Sequence, residues 1–388
     1  MPGKEFIAGH TVRLIHGGEE YFNTLLELIE SAKTELHLQV YILDFDDTGA
    51  VVIDALRESA KRGVEVYLVA DGFGSMNLGS EFKNEMRKYN IHFRFFSPLP
   101  FPGIFQAGRR LHHKVCVADS NRVLISGINI ADKYRGSENE PAWLDYGLLV
   151  EGPVCQEITG VCERIFSRRF YQKQSGVFKK LKLSSAGEAG LKVRISINDW
   201  FRRMNEISAG YKKELKNAQK EIIIVASYFT PSRRLLKILL RSAGRNRDIY
   251  IVLSKYSDVP FMKSAMKFLY GRLLLNKVRI FEYRESVLHA KVCVVDNKWV
   301  SVGSHNLNHL SEFLSIEMNM EVLDNNFASG VATELKKLMF EKCNEILQDE
   351  FIASGTFFEK IKNWLSYKII SLSTRILLFL NFKSDKGA

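Results

Sequence analysis

The sequence predicts an α/β protein with two tandem domains related by internal duplication. Three observations support this: the length of 388 residues, the alternation of helical patterns with β-branched runs, and the return of one long motif. A chain of this length is typical of two domains of ordinary size. The alternation is typical of helices covering a mostly parallel sheet. We therefore expect similar domains at 1–183 and 191–350, joined by a linker at 184–190.

The repeated motif reads LHHKVCVADSNRVLISGIN at 111–129 and LHAKVCVVDNKWVSVGSHN at 288–306. Its polar residues keep one register between the copies. The matched pairs are His112 with His289, Lys114 with Lys291, Asp119 with Asp296, and Asn129 with Asn306. This constant register indicates a duplication rather than a chance recurrence.

The similarity continues upstream of both copies. AKTELHLQVYI (32–42) resembles AQKEIIIVASYF (218–229), and SAKRGVEVYLVA (59–70) resembles SAGRNRDIYIVL (242–253). The helical pattern YFNTLLELIESAK precedes the first of these strands. The small, glycine-bearing segment LSSAGEAG (183–190) is the best candidate for the boundary between the domains.

Each motif copy predicts a β-hairpin that presents polar side chains at one end. Histidine and lysine stand two residues apart, so on a strand they project from one face, while Val115 and Val117 face the other way. The segments that begin at Asp119 and Asp296 contain residues that favour turns. Each hairpin is therefore expected to present its histidine, lysine and asparagine together.

Two such sets docked about a pseudo-twofold axis would form a pocket for a phosphodiester. Lysine and asparagine donors can hold the non-bridging oxygens and stabilise charge at phosphorus. One imidazole can attack phosphorus while the other protonates the departing alcohol, since the near-neutral pKa of histidine suits both tasks. This two-step chemistry requires no metal, and we expect neither a metal nor a cofactor.

Both copies match HxKxxxxD, and Gly303, Ser304 and Asn306 add GSxN after the second copy. On these residues the chain resembles the phospholipase D superfamily, and more particularly the bacterial cardiolipin synthases without N-terminal membrane spans. Stretches such as VADGFGS, FRFFSPLP and ASYFTPSRRLL extend the resemblance over about residues 10–325. It implies two phospholipase D-like α/β/α sandwich domains with the active site at their interface.

The resemblance also implies a role for each motif residue. His112 is the expected nucleophile, and His289 is the expected general acid and then general base. Asp145 and Glu317 would orient the imidazoles through Nδ1. The remaining members of the implied set are Lys114, Lys291, Asn129, Ser304 and Asn306 as phosphate ligands, and Asp119 and Asp296 as the motif's own carboxylates.

Two details of the motifs modify this assignment. Asp119 and Asp296 complete the catalytic motif by definition, but each lies five residues beyond its lysine, at the turn. We therefore expect them to have a structural role. In the first copy Ser126-Gly127 stands where the second has Gly303-Ser304, so the serine is displaced by one position.

The net charge and the C-terminal segment of the sequence predict the kind of partner that the protein binds. Lys and Arg total 55 against 44 Asp and Glu, and this formal charge of +11 favours a polyanionic partner, either nucleic acid or an anionic membrane surface. In NWLSYKIISLSTRILLFLNF (363–382), Lys368 and Arg375 share one stripe of a helix that is otherwise largely apolar. Residues 351–388 are therefore expected to bind an anionic phospholipid membrane. The alternative is a helix packed on the protein's own core.

The predicted function is a cardiolipin synthase-like transfer of a phosphatidyl group between glycerophospholipid substrates. The donor is expected to be phosphatidylglycerol or a similar phospholipid. The N-terminus has no signal peptide pattern and no long apolar stretch is present, so the expected location is peripheral, on the cytoplasmic face of a bacterial membrane. The sequence leaves the oligomeric state open.

Other functions remain open at this point. A phospholipase D hydrolase would use the same site with water as acceptor. A nuclease of the same superfamily would also match the positive charge, although nucleic acid is not the expected partner because the chain carries two motifs and an amphipathic tail. A lipid-binding scaffold is the non-enzymatic alternative.

Overall fold

The computed structural model describes residues 4–98, 109–167, 190–259 and 261–384. The predicted linker at 184–190 lies outside these ranges except for Gly190. In the first half the strands are β1 Ile7–His16, β2 Glu35–Val40, β3 Glu65–Asp71, β4 His92–Phe96, β5 Arg110–Leu111, β6 Lys114–Ala118, β7 Arg122–Ser126 and β8 Tyr146–Glu151. The helices are α1 Glu19–Ser31, α2 Asp47–Lys61, α3 Phe82–Lys88, α4 Asp132–Arg135 and α5 Val154–Phe166.

The second half repeats this plan and adds a helical tail. Its strands are β9 Leu191–Asp199, β10 Met204–Asn205, β11 Glu221–Ala226, β12 Asp248–Ser254, β13 Arg279–Tyr283, β14 Lys291–Val295, β15 Trp299–Gly303, β16 Ser315–Leu323 and β17 Cys343–Ile346. Its helices are α6 Glu206–Asn217, α7 Arg233–Ala243, α8 Met262–Leu274, α9 His309–Phe313, α10 Asn325–Lys342, α11 Gln348–Ser354 and α12 Phe357–Ser384.

The order of strands confirms the duplicated α/β fold. The first half runs β4-β3-β2-β6-β7-β8-β1, and the second runs β17-β13-β12-β11-β14-β15-β16-β9. Strands β2 to β4 and strands β11 to β13 are parallel, because helices connect them, whereas the motif strands pair with their sheet neighbours in antiparallel fashion. The expectation of a mostly parallel sheet is therefore wrong for the second part of each half.

The core is divided into two outer regions and one shared central region. The outer regions fill the space between each half's helices and its sheet; they contain Cys116 in the first half and Cys293 in the second. The central region includes Val115 and Val117 from β6 together with residues of β14, β15 and β16. Because apolar side chains of both halves pack in this one region, the halves are held against each other. All five cysteines are buried and free.

The aspartate of each motif ends its strand in a tight turn. Asp119 and Ser120 have positive φ angles of 50° and 56°, as a two-residue turn between twisted strands requires. The Asp119 carboxylate accepts hydrogen bonds from the backbone N–H groups of Lys33, Thr34 and Glu35. It thereby fixes the hairpin turn to the beginning of β2. Asp296 does the same for β11.

The tail helix α12 packs on the protein along one face and leaves large apolar side chains exposed elsewhere. Its Tyr367 ring lies 4.8 Å from the ring of Phe268 on α8, and Ser366 is buried, so one face packs on the protein. Large apolar side chains on the rest of its surface stay exposed, among them Phe358 at 82% and Ile369 at 55%. Side chains from residue 374 onward, including Arg375, lie outside the described set. Within the described residues, no helix is long and apolar enough to cross a membrane.

We predict that Asp119→Ala destabilises the fold without directly removing catalysis. The loss of charge-assisted hydrogen bonds to the start of β2 should lower the free energy of unfolding by about 1–3 kcal/mol. Urea denaturation measures this change, and turnover per folded molecule should stay near the parent value. Asp296→Ala is the matched variant in the other half and should behave alike. Loss of turnover without a change in the free energy of unfolding would show that these aspartates act in catalysis.

Candidate active site

The two motif histidines are fixed by backbone contacts that cross between the halves. The short strand β5, just before His112, pairs with the beginning of β16, and the His112 N–H donates to the Ile316 carbonyl at 3.0 Å. In the reciprocal contact, the His289 N–H donates to the Leu144 carbonyl at 2.7 Å. Each histidine is thus placed beside a strand that carries a carboxylate of the other half.

The first imidazole–carboxylate pair joins His112 to Glu317. The Nδ1 atom of His112 lies 3.0 Å from Oε2 of Glu317. The Ser304 hydroxyl donates to the same carboxylate oxygen at 2.5 Å and accepts from the Met318 N–H at 3.1 Å. The ring of Tyr41 packs 5.0 Å from the imidazole. These contacts fix the ring through Nδ1 and leave its Nε2 for chemistry.

The second pair joins His289 to Asp145. Nδ1 of His289 lies 2.8 Å from Oδ2 of Asp145, whose other oxygen accepts from the Tyr146 N–H. The imidazole packs against the rings of Tyr134 and Trp143, with centroid distances of 5.2 and 6.0 Å. The carboxylate of each pair therefore comes from the half opposite to its histidine.

The motif lysines lie beside the histidines of their own copies. The Lys114 ammonium donates to the His112 carbonyl at 2.6 Å, and the Lys291 ammonium donates to the His289 carbonyl. The Lys291 Nζ is also 3.9 Å from Oδ2 of Asp145. Both lysines are buried. Two cations with two imidazoles make a site suited to a phosphodiester anion.

The motif asparagines are buried and bonded to neighbouring elements. Asn129 accepts from the Ile42 N–H and donates from Nδ2 to the Tyr134 hydroxyl at 2.7 Å. Asn306 accepts from the Ser227 hydroxyl at 2.9 Å. The Nδ2 group of Asn129 has a second N–H, so its predicted phosphate contact stays a prediction. The structure adds that Asn129 orients the Tyr134 ring against His289.

Comparison with known proteins identifies the family to which this chain belongs. The family model described as "Cardiolipin synthase, PLD-like domain" matches residues 25–169 and 211–339, one motif in each segment. The chain belongs to this family. Cardiolipin synthase B of Escherichia coli strain K12 is 29% identical to it over 369 residues, which cover 93% of this chain and 88% of that protein.

More distant proteins agree with this assignment. Cardiolipin synthase 1 of Bacillus anthracis is 28% identical over 342 residues, covering 84% of this chain and 65% of that protein. The crystal structure of phosphatidylserine synthase from Haemophilus influenzae Rd KW20 superimposes with a TM-score of 0.72 over 96% of both chains. At 15% identity, this second similarity shows a shared fold.

In this member of the cardiolipin synthase family, burial determines the charge of the active site. Burial lowers the pKa of both the His112 and His289 imidazoles, so the rings are neutral at pH 7. It also lowers the pKa of Lys114 to about 7 and that of Lys291 to about 8. A bound phosphodiester anion would favour the protonated form of all four groups.

The two carboxylates differ in charge at neutral pH. Burial raises the pKa of Asp145 to about 7, although nearby Lys291 opposes this shift. Burial alone would raise the pKa of Glu317 too, but attraction to His112 and their hydrogen bond hold it at about 2. Glu317 is therefore a fixed anion. The Asp145–His289 pair can gain or lose a proton near neutral pH.

The displaced serine of the first copy gives the two carboxylates different hydrogen-bond donors. Gly127 occupies the position that corresponds to Ser304, and a Cβ atom there would fall 2.6 Å from Oδ2 of Asp145. Asp145 thus lacks the hydroxyl donor that Ser304 gives to Glu317. A one-residue shift between the copies makes the two pairs chemically unequal.

Asp119 and Asp296, although part of the catalytic motif by definition, make the structural contacts expected of them, and Ser304 makes a contact that the sequence did not predict. Asp119 and Asp296 lie at the far ends of β6 and β14 from the histidines, where they bind the backbone of neighbouring strands. Their role is structural, and they leave the catalytic set. The Ser304 hydroxyl donates to Glu317, and its predicted phosphate contact stays a prediction. Its role in this geometry is to position that carboxylate.

Sequence reasoning missed the aromatic rings around the imidazoles. Tyr41 packs on His112, while Tyr134, Trp143 and Tyr228 surround His289. Comparing the copies could not reveal Tyr134, because Ser311 stands at the corresponding position of the second half. Within the described ranges, no group of three or more His, Cys, Asp or Glu side chains is arranged to hold a metal ion.

We predict that Gly127→Ala disables catalysis in a folded protein. The added methyl group must displace the Asp145 carboxylate, and a displacement of that size can cost ~10²-fold in kcat. Steady-state turnover and thermal unfolding measure the two effects separately. Ser304→Ala is the matched change in the second copy; it adds no atom and should cost only ~10-fold through loss of one hydrogen bond. Parent-like turnover of Gly127→Ala would show that Asp145 is not required in this position.

Proposed function

We propose that the chain is a cardiolipin synthase-like phosphatidyltransferase that works through a phosphohistidine intermediate. The donor is phosphatidylglycerol or a similar phospholipid, and the acceptor is the hydroxyl of a second glycerolipid. The observation that carries the proposal is the crossed arrangement of two imidazole–carboxylate pairs around two buried lysines. Family membership supports the lipid substrates, since the relatives named above are cardiolipin synthases.

In the first step, Nε2 of His112 attacks phosphorus and forms a P–N bond. The P–O bond to the leaving glycerol breaks, and His289, protonated once the phosphodiester is bound, gives its proton to the departing oxygen. The ionised Glu317 stabilises the positive charge that the phosphorylated imidazole gains. Lys114 and Lys291 stabilise the charge on the non-bridging oxygens.

In the second step, the acceptor hydroxyl gives its proton to His289, and its oxygen attacks phosphorus. The P–N bond breaks and His112 is released. The raised pKa of Asp145 supports this assignment, because the pair that exchanges a proton near pH 7 is the one required to act as acid and then base. If water replaces the lipid alcohol, the same steps give hydrolysis.

Membrane association is the second part of the proposal. The exposed apolar side chains of α12 and the positive net charge suit the surface of an anionic bilayer. We place the enzyme peripherally, on the cytoplasmic face of the membrane. Partial packing of α12 against α8 would hold this apolar face in a fixed position relative to the active site.

Product analysis with vesicles of phosphatidylglycerol tests the reaction itself. We expect cardiolipin and glycerol in equal amounts, formed in the presence of EDTA. Phosphatidic acid as the main product would identify a hydrolase. No lipid product together with cleavage of single-stranded DNA would identify a nuclease, and binding without turnover would identify a scaffold.

The two histidines should respond differently to removal. His112→Ala should abolish any covalent lipid–phosphate adduct, because it removes the proposed nucleophile. His289→Ala should still form adduct from a nitrophenyl phosphodiester, whose leaving group departs without a proton, yet lose ~10²- to 10⁴-fold with a natural lipid donor. Rapid-quench trapping followed by peptide mapping locates the adduct. Phosphate on the peptide that contains His289 would reverse the assignment.

Substitutions on the exposed face of α12 test the membrane proposal. The combined change Leu365→Gln, Ile369→Gln and Leu372→Gln should weaken binding to anionic vesicles by ~10-fold or more, since it removes apolar area from the interface. Vesicle sedimentation measures binding, and turnover of short-chain monomeric substrate should be kept. Phe340→Gln, an exposed apolar residue of α10, is the control. Equal binding of the triple variant and the parent would contradict the proposal.

A further inference from the structure

Lys133 places a positive charge beside the aromatic rings that surround His289. It lies on α4, and its Nζ is 4.8 Å from the ring centroid of Trp143 and 5.6 Å from that of Tyr134. Both rings pack directly on the His289 imidazole. The backbone carbonyl of Lys133 also accepts a hydrogen bond from the backbone N–H of Trp143 at 3.0 Å. The ammonium is thus held one aromatic ring away from the proposed acid–base residue.

This ammonium differs from several other cations around the site, each of which has a carboxylate partner. Arg109 pairs with Asp199, Lys212 pairs with Glu312, and Arg110 pairs with Asp71. Lys133 is exposed, and in the part of the chain that the structure describes no carboxylate oxygen lies within 4.0 Å of its Nζ. Cation–π contacts orient the ammonium without neutralising it. An anion can therefore bind Lys133 without first breaking an ion pair.

The duplicated halves differ at this position. The register of the motif copies puts Leu310 where the first half has Lys133, and the Leu310 side chain is partly exposed. The side of the site next to His289 is therefore cationic, whereas the corresponding position on the other side is apolar. A pseudo-symmetric pocket with this difference can distinguish the ligand on one side from the ligand on the other.

We infer that Lys133 binds the phosphodiester anion of the acceptor lipid and thereby selects an anionic phospholipid alcohol as acceptor. The inference rests on the proposed function, in which His289 deprotonates the acceptor hydroxyl, so the acceptor must lie on the His289 side. In a phospholipid such as phosphatidylglycerol, a glycerol bridge separates the free hydroxyl from the phosphate. One aromatic ring likewise separates His289 from Lys133. In the inferred arrangement the free hydroxyl of the acceptor lies at His289 and its phosphate lies at Lys133.

The same contact would favour transfer over hydrolysis. Water and the departing glycerol carry no phosphate, so they gain nothing from Lys133. An anionic lipid alcohol gains a charge-assisted contact and competes better for the phosphohistidine intermediate. Lys133 is thus proposed as a specificity residue and takes no part in bond making or breaking.

This inference is tested without a membrane by measuring how the phosphohistidine intermediate divides between two acceptors and water. A short-chain nitrophenyl phosphodiester serves as donor at concentrations where all lipids are monomeric. The acceptors are dihexanoyl phosphatidylglycerol, which carries a phosphate, and monohexanoylglycerol, which is neutral. Products from each acceptor and from water are quantified and normalised to nitrophenol release. Because no bilayer is present, an effect of Lys133 on membrane binding cannot enter the result.

Lys133→Met should raise the concentration of phosphatidylglycerol needed for half-maximal transfer by ~10-fold or more, the usual effect of losing a hydrogen bond to a charged group. Transfer to the neutral acceptor should change by less than ~2-fold, since that ligand makes no ionic contact. Lys133→Arg should restore most of the preference. The matched control is Lys298→Met, which removes one exposed positive charge from the hairpin turn at the opposite end of β14 and should leave the partition as in the parent.

The outcomes separate the inference from the function on which it rests. Equal effects of Lys133→Met on both acceptors, or no effect on phosphatidylglycerol, would overturn the role of Lys133 while leaving phosphatidyl transfer intact. The same loss in Lys298→Met would show a general charge effect and would also overturn it. If the parent enzyme transfers to neither acceptor and produces only the hydrolysis product, the proposed transferase function fails, and the inference fails with it.

Discussion

The buried hydrogen bonds that join each imidazole to a carboxylate of the opposite half determine how the rest of the structure is arranged. Asp145 and Glu317 are fully buried, and a buried carboxylate without a partner is strongly destabilising. When the halves dock, Asp145 pairs with His289 and Glu317 pairs with His112. The shared apolar core holds the halves in the position that these contacts require.

The same burial gives the site its reactivity, and a small difference between the copies divides the chemical roles. Attraction to His112 and their hydrogen bond keep Glu317 ionised, whereas burial raises the pKa of Asp145 to about 7. Lys133 and Leu310, which occupy corresponding positions in the two halves, add a difference in charge next to the site. In the proposed mechanism, pseudo-symmetry brings the two histidines together, while departures from symmetry give them different roles.

Much of this could be predicted from the sequence, because periodicity and repetition are local properties. The constant register of His112 with His289 revealed the duplication, and the turn residues revealed the hairpins. The crossing of the pairs could not be predicted, since it depends on the way that β5 meets β16. Tyr134 and Trp143 were missed for a related reason: they contact His289 only across the boundary between the halves. The contact of Ser304 with Glu317 was missed because Glu317 lies on the next strand of the sheet.

Nitrogen-15 NMR of the histidine rings tests the crossed arrangement most directly. In protein labelled only at histidine, the ring signals of His112 and His289 are assigned by their loss in the two alanine variants and then followed in Glu317→Gln and Asp145→Asn. The account predicts that Glu317→Gln shifts mainly the His112 signals and Asp145→Asn mainly the His289 signals, with both rings neutral and protonated on Nδ1 at pH 7. The opposite pairing, or a His112 ring that is cationic at pH 7, would contradict it.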